Sequence, residues 1–243
     1  MVTDQSPKSI LPLVLSGVVA RARKKHLLGP VDLTIGKRGV TIVMGSNGAG
    51  KTTLLRVMHG LQRIKAGSVD WAVDESVARR KQAYVFQSPI MMRRRVIDSI
   101  AFPLFLNGVA KRSAHKQAED WAIRVGLAHV LQVWAPMISG GEKQKPALAR
   151  ALIYQPEILF LDEPCANLNG RSTREIEDIL TKAVMAGTRI VMATHNIGQA
   201  RRLANDVVFV CGGKILETTA ADVFFDQPKT PEALAFINGE IVE

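Results

Sequence analysis

The run Gly45-Ser46-Asn47-Gly48-Ala49-Gly50-Lys51-Thr52 places three glycines ahead of a lysine and a hydroxyl, in the spacing G-x-x-x-x-G-K-[ST]. Gly45, Gly48 and Gly50 let the backbone curl until successive N–H groups point inward. Together with a following helix N-terminus, those groups can hold phosphate oxygens. Lys51 adds a point charge, the Thr52 hydroxyl offers an oxygen to Mg²⁺, and Thr53 completes the candidate set. The chemistry implied is the gripping of a nucleotide triphosphate.

A second cluster lies at Asp162-Glu163, directly after the fully apolar Ile158-Leu159-Phe160-Leu161. In an open α/β sheet, ligands collect outside the carboxyl ends of the strands, so this pair is expected to face the same crevice as the glycine loop. Asp162 suits Mg²⁺, directly or through water. Glu163 suits the orientation and deprotonation of an attacking water, because phosphoryl transfer depends on positioning and electrostatics. A third cluster, Ser139-Gly140-Gly141-Glu142, has two readings. It is a capping box, with the Ser hydroxyl covering a backbone N–H and Glu142 reaching back to Ser139. It is also a helix start with bare N–H groups, where a phosphate could dock.

These residues need elements to position them. Short Val- and Ile-rich runs at residues 40–44, 84–86, 158–161, 189–193 and 207–210 predict buried strands. Helical spacing at 51–61, 172–185 and 197–203 between them predicts a mostly parallel sheet covered on both faces. Gly212-Gly213, between 207–210 and 215–217, predicts a tight hairpin and so an antiparallel edge. Residues 88–157 show helical spacing around 99–106, 113–125 and 143–153 without a strand, and read as an inserted helical subdomain. Residues 1–9 are polar and expected to fray.

Composition narrows the class. The chain has 243 residues, 47% of them hydrophobic, enough for a sizeable core and against a disordered tail, a collagen-like repeat or a disulfide-stapled miniprotein. The two cysteines, Cys165 and Cys211, are too few and too far apart for a disulfide framework or zinc site, which favours a reducing compartment. The apolar stretch 10–20 is broken by Pro12, Ser16 and Gly17 and is too short to span a bilayer. Its basic residues follow it, contrary to a secretory signal. The net charge of +10 is spread over short clusters, among them Arg93-Arg94-Arg95, that suit nucleic acid, an anionic membrane leaflet or plain solvation.

Taken in order, the motifs resemble the nucleotide-binding subunit of an ABC transporter, from about Leu28 to the C-terminus. Ile138-Ser139-Gly140-Gly141-Glu142 is similar to that family's signature, which contacts ATP on the opposite subunit. Gln87, after Tyr84-Val85-Phe86, matches the glutamine linking the γ-phosphate and Mg²⁺ to the helical subdomain. His195, in Ala193-Thr194-His195, matches the switch histidine at the γ-phosphate. The resemblance implies an α/β P-loop NTPase core at 1–87 and 158–243, with residues 88–157 as the helical insert of one 243-residue ATPase domain. It implies ATP and Mg²⁺, with Glu163, His195 and Gln87 catalytic and Thr52, Gln87 and Asp162 at the metal. The expected partners are a second copy of the subunit, an integral membrane permease near Arg93-Arg94-Arg95, and an extracytoplasmic substrate-binding protein. Nucleic acid is not expected, and the place implied is the cytoplasmic face of the membrane.

Residues 86–94, 198–204 and 224–240 look most like ATPases of tungstate uptake, with phosphate, phosphonate and polar amino-acid importers as alternatives. The given sequence ends soon after the core, so an added C-terminal β-domain is not expected. Three departures stand out. Asn169 replaces the family's usual Asp, and Pro146 lies in the helix after the signature, where a kink is expected. Residues 21–28 offer no aromatic ring for adenine, leaving an Arg or His26 as the planar substitute.

Overall fold

The computed structural model describes residues 9–23 and 25–240. The chain begins with β1 (Leu13–Ala22), β2 (Lys25–Ile35), β3 (Val40–Met44), α1 (Lys51–His59), β4 (Ala66–Trp71), α2 (Glu75–Ala78) and β5 (Gln82–Val85). Then come α3 (Val96–Leu106), α4 (Lys111–Arg124) and α5 (Gln144–Leu152), followed by β6 (Ile158–Asp162), α6 (Gly170–Met185), β7 (Arg189–Ala193) and α7 (Ile197–Leu203). The hairpin β8 (Asp206–Cys211) and β9 (Lys214–Ala220), then α8 (Ala221–Asp226) and α9 (Pro231–Ile237), complete it.

The main sheet has the order β5-β6-β7-β3-β8-β9, parallel except for the β8–β9 hairpin at its edge. This is the α/β arrangement expected from the sequence. Strands β3, β6 and β7 are buried at every residue, which explains their unbroken apolar runs. Successive side chains still part to opposite faces. Ile42, Leu159, Ile190 and Phe209 pack with the helices from α3 onward. Val43, Phe160, Val191 and Val208 pack with α1 and a second sheet.

That second sheet, antiparallel in the order β2-β1-β4, is absent from the sequence reading. Its apolar alternation is broken: Leu13 and Leu15 are buried, Gly17 interrupts, and Val18 and Ala20 resume out of phase after a register shift. A bulge therefore disguises one long strand as an irregular apolar stretch. Strand β5 also ends at Val85, earlier than expected, leaving Phe86 partly exposed beyond it. Residues 1–8 lie outside the described part, but Ser9, expected to fray, donates from its Oγ to Glu157 Oε2 at 2.9 Å.

The expected kink at Pro146 is corrected. Helix α5 starts at Gln144, so Pro146 is in the first turn, where backbone N–H groups have no intrahelical acceptor to lose.

At the other end of α1, His59 is edge-on to Tyr84 and Phe160, and its Nδ1 is buried without a hydrogen-bond partner among the described residues. Burial first, then the charge of Arg79, pushes the imidazole down from 6.5 to about 4. The unfolded chain takes up the proton near pH 6.5 and the folded chain only near 4, so stability is complete above pH 6.5 and lost as pH falls toward 4. His59→Phe is expected to remove roughly 2–3 kcal/mol of that acid-side loss, measured by urea denaturation across the window. An unchanged pH slope would contradict the burial account.

Candidate functional site

The glycine loop bridges β3 and α1 at the carboxyl end of the sheet. It is tied to distant segments: Gly213 N–H donates to Ala49 O at 2.8 Å, and Gly29 N–H donates to Gly213 O at 2.7 Å. Lys51 is 6% exposed, and its Nζ donates to Gly45 O and Ser46 O, each at 2.9 Å. The ammonium thus lies inside the curl it helps to shape, 3.7 Å from Glu163 Oε1. Burial lowers its pKa, against the opposing pull of Glu163 and Asp162.

The carboxylates leave β6 in the same crevice. Asp162 accepts from Thr52 Oγ1 at 2.8 Å and from the Tyr84 hydroxyl at 3.2 Å. Glu163 adopts φ 45° and its N–H donates to Ala193 O on β7 at 3.0 Å. Its Oε2 accepts from Gln87 Nε2 at 3.4 Å and lies 3.2 Å from His195 Nδ1. Asn47, Gln87, Glu163 and His195 line an open cleft of about 350 Å³. Lys51, Thr52, Asp162, Glu163, Gln87 and His195 therefore come together from four strand ends.

Ser139-Gly140-Gly141-Glu142 does not join them. Ser139, Gly141 and Glu142 line a different cleft, with Asn169 and Ser172. Half of the capping box forms: Glu142 reaches back and its Oε2 accepts from the Ser139 N–H at 3.3 Å, but the other half is corrected, because the Ser139 hydroxyl donates to the same Oε2 at 2.6 Å instead of covering a backbone N–H. The segment is a turn, and α5 starts beyond it. The Ser139 bond holds the Glu142 carboxyl below its usual range. His129 Nε2 adds a contact at 3.1 Å.

Asn169 accepts the Ser172 N–H at 2.9 Å and so caps α6. Asn169→Ala is expected to cost about 1 kcal/mol in urea denaturation, whereas Asn169→Asp, which keeps the acceptor, retains stability. Equal losses in both variants would show that the cap contributes nothing.

Sequence reasoning missed Tyr84. A partly buried phenol favours a partner for its hydroxyl, and β5 pairs with β6 so that Tyr84 stands beside Phe160, within reach of Asp162. Burial, then Asp162, pushes the phenol up. It missed equally the bond pair from Arg202 to Glu177, at 2.9 and 2.7 Å, which ties α7 to α6 behind Cys165. Burial pushes the Cys165 thiol up to about 11. Of the basic cluster, Arg94 stacks 4.5 Å from the Phe102 ring centre and Arg95 donates to Gln132 at 2.8 Å. Residue 24 lies outside the described part, and His26 pairs opposite Arg21 where β2 approaches the loop.

Oxygen donors from Thr52 and Asp162, with the Gln87 amide near by, suit a hard cation that keeps water and phosphate in its shell. Among the described residues no group of three or more His, Cys, Asp or Glu could hold a metal by itself.

A glycine loop facing a strand-end carboxylate pair across a parallel sheet is the architecture of a P-loop ATPase. The chain matches the family described as ABC transporter over residues 28–166 and belongs to it, as an ATP-binding subunit that hydrolyses ATP. It is 33% identical to the glutamate transport ATP-binding protein GluA of Corynebacterium glutamicum, over 87% of this chain and 92% of that one. It is 36% identical to the tungstate uptake system ATP-binding protein TupC of Peptoclostridium acidaminophilum, over 80% of this chain and 90% of that one. The fold matches cbiO1 from Clostridium perfringens, part of the ABC transporter complex cbiONQ, with a TM-score of 0.80 at 23% identity, over 90% of this chain and 93% of that one. No helix among the described residues is long and apolar enough to cross a membrane.

Proposed function

We propose that the chain powers an ABC importer from the cytoplasmic face of the membrane, as one of two copies joined to a permease and served by an extracytoplasmic substrate-binding protein. The observation that carries the proposal is the Glu163 carboxylate, held within 4 Å of Lys51, Gln87 and His195 above the glycine loop.

In this reading, backbone N–H groups from Gly45 to Thr53 and the Lys51 ammonium hold the triphosphate. Thr52, Asp162 and Gln87 would hold Mg²⁺, which would supply positive charge to offset that developing on the phosphate groups. Glu163 orients a water and takes its proton, and His195 steadies the carboxylate and the γ-phosphate. Ser139, Gly141 and Glu142 line a separate cleft, which with Gly140 suits ATP held by the second copy. Binding between two subunits favours their closed arrangement, and hydrolysis removes that preference.

The cargo we propose is an oxyanion such as tungstate. The likeness to TupC supports it, beside relatives named for glutamate and phosphate transport. Deleting the coding sequence is expected to abolish tungstate accumulation from micromolar medium, with restoration by the intact chain but not by Glu163→Gln. Undiminished tungstate uptake together with lost phosphate or glutamate uptake would reassign the cargo and leave the ATPase reading intact.

A further inference from the structure

Away from the triphosphate crevice, a cavity of about 430 Å³ opens between the C-terminal ends of α4, α5 and α6 and the start of β7. None of the glycine-loop or carboxylate residues lines it. Its floor is apolar, made by the buried side chains of Val125, Leu152, Ile179 and Ala183. Its rim is cationic. Arg124 stands 5.1 Å from the Trp121 ring centre, and Lys182 lines the opposite wall from α6.

These charges form no close ion pair, the nearest carboxylate along α6 being Asp178, one turn before Lys182, which lines the adjoining cleft. Among the described residues, neither Arg124 nor Lys182 has a carboxylate within 4 Å. The one carboxylate in the lining, Glu157, is already satisfied by Lys81 Nζ at 2.6 Å, Ile10 N–H at 2.8 Å and Ser9 Oγ at 2.9 Å. The wall thus offers two exposed cations without an ion-pair partner among the described residues, an aromatic face carrying a guanidinium, and an apolar floor.

We infer that this cavity is a binding site for a planar organic anion, an aromatic carboxylate or sulfonate, separate from the ATP site. Its volume falls in the range that encloses small organic ligands. Inorganic anions do not suit the floor, because a small hydrated ion gains nothing from apolar walls. Uncharged aromatics leave the two cations unanswered, while a flat anion stacks on Trp121 and Arg124 and meets Lys182 at its charged end. Arg124, Val125, Ile179 and Lys182 also line the cleft that holds Ser139, so an occupant lies back to back with the signature turn.

The test is a fluorescence titration of the full chain with 8-anilinonaphthalene-1-sulfonate. The expected result is saturable binding of about one probe per chain, undisturbed by Mg-ATP, with emission sensitised by Trp121 and lost in Trp121→Phe. Arg124→Gln with Lys182→Gln should weaken the probe by about tenfold or more. Ala186→Phe, which fills the cavity mouth from the exposed end of α6 and lies outside the Ser139 cleft, should weaken the probe equally while leaving ATP affinity unchanged. Unchanged probe affinity in both variants, displacement by Mg-ATP, or equal binding of uncharged N-phenyl-1-naphthylamine would overturn the assignment.

Discussion

Glu163→Gln is expected to lower steady-state ATP hydrolysis about a hundredfold or more, with ATP affinity held within about threefold. The amide has the size and the acceptor oxygen of the carboxylate but cannot take a proton. The contacts at Oε2, from Gln87 at 3.4 Å and His195 at 3.2 Å, can therefore persist while the proposed base is lost. In the proposed reading the nucleotide is held elsewhere, by the loop amides and Lys51, whose two bonds to Gly45 O and Ser46 O do not involve Glu163. Phosphate release by the chain assembled with its permease, beside a nucleotide titration of the isolated chain, separates the two quantities. Turnover at the wild-type rate would remove Glu163 from the proposed role; a parallel loss of ATP affinity would recast it as a binding residue.

The second large effect is expected at Gly45. A Cβ there would lie 2.0 Å from the Val210 carbonyl oxygen and 3.2 Å from Ala49 Cβ, at φ 148°. The obstructing atom is backbone in a central strand, so the side chain has nowhere to move and the loop must leave β8. Gly45→Ala should cost about 3–5 kcal/mol of stability and abolish measurable ATP binding. Gly48→Ala is the control: its φ of 84° carries strain, but no atom lies within 4 Å of the added Cβ. Its cost should be about 1–2 kcal/mol. Denaturation midpoints for the pair decide the matter, and equal losses would show that the Val210 contact is unimportant.

Features that depend on adjacent residues were legible before any coordinates. The glycine loop, the Asp162-Glu163 pair and the β8–β9 hairpin each occupy a few consecutive positions, so their local chemistry and their structure coincide. Buried parallel strands were legible for the same reason, since burial on both faces leaves an unbroken apolar run. Reading failed where the outcome depends on distant partners or on a boundary. Gly17 shifts the phase of β1, and the pairing that repairs it comes from β2 and β4. Tyr84 is unremarkable until β5 and β6 align. Pro146 changes from a helix breaker to a harmless first-turn residue because α5 begins at Gln144. Ser139 has a carboxylate partner three residues away, and that charged acceptor wins its hydroxyl from the backbone.

The tether between Ala49 and Gly213 also has a temporal meaning. A growing polypeptide emerges from the ribosome with its glycine bend complete long before the hairpin that pins it. Competence to retain nucleotide should therefore arrive late, only after the final strands have been made. Truncated nascent species would then circulate without consuming cellular ATP.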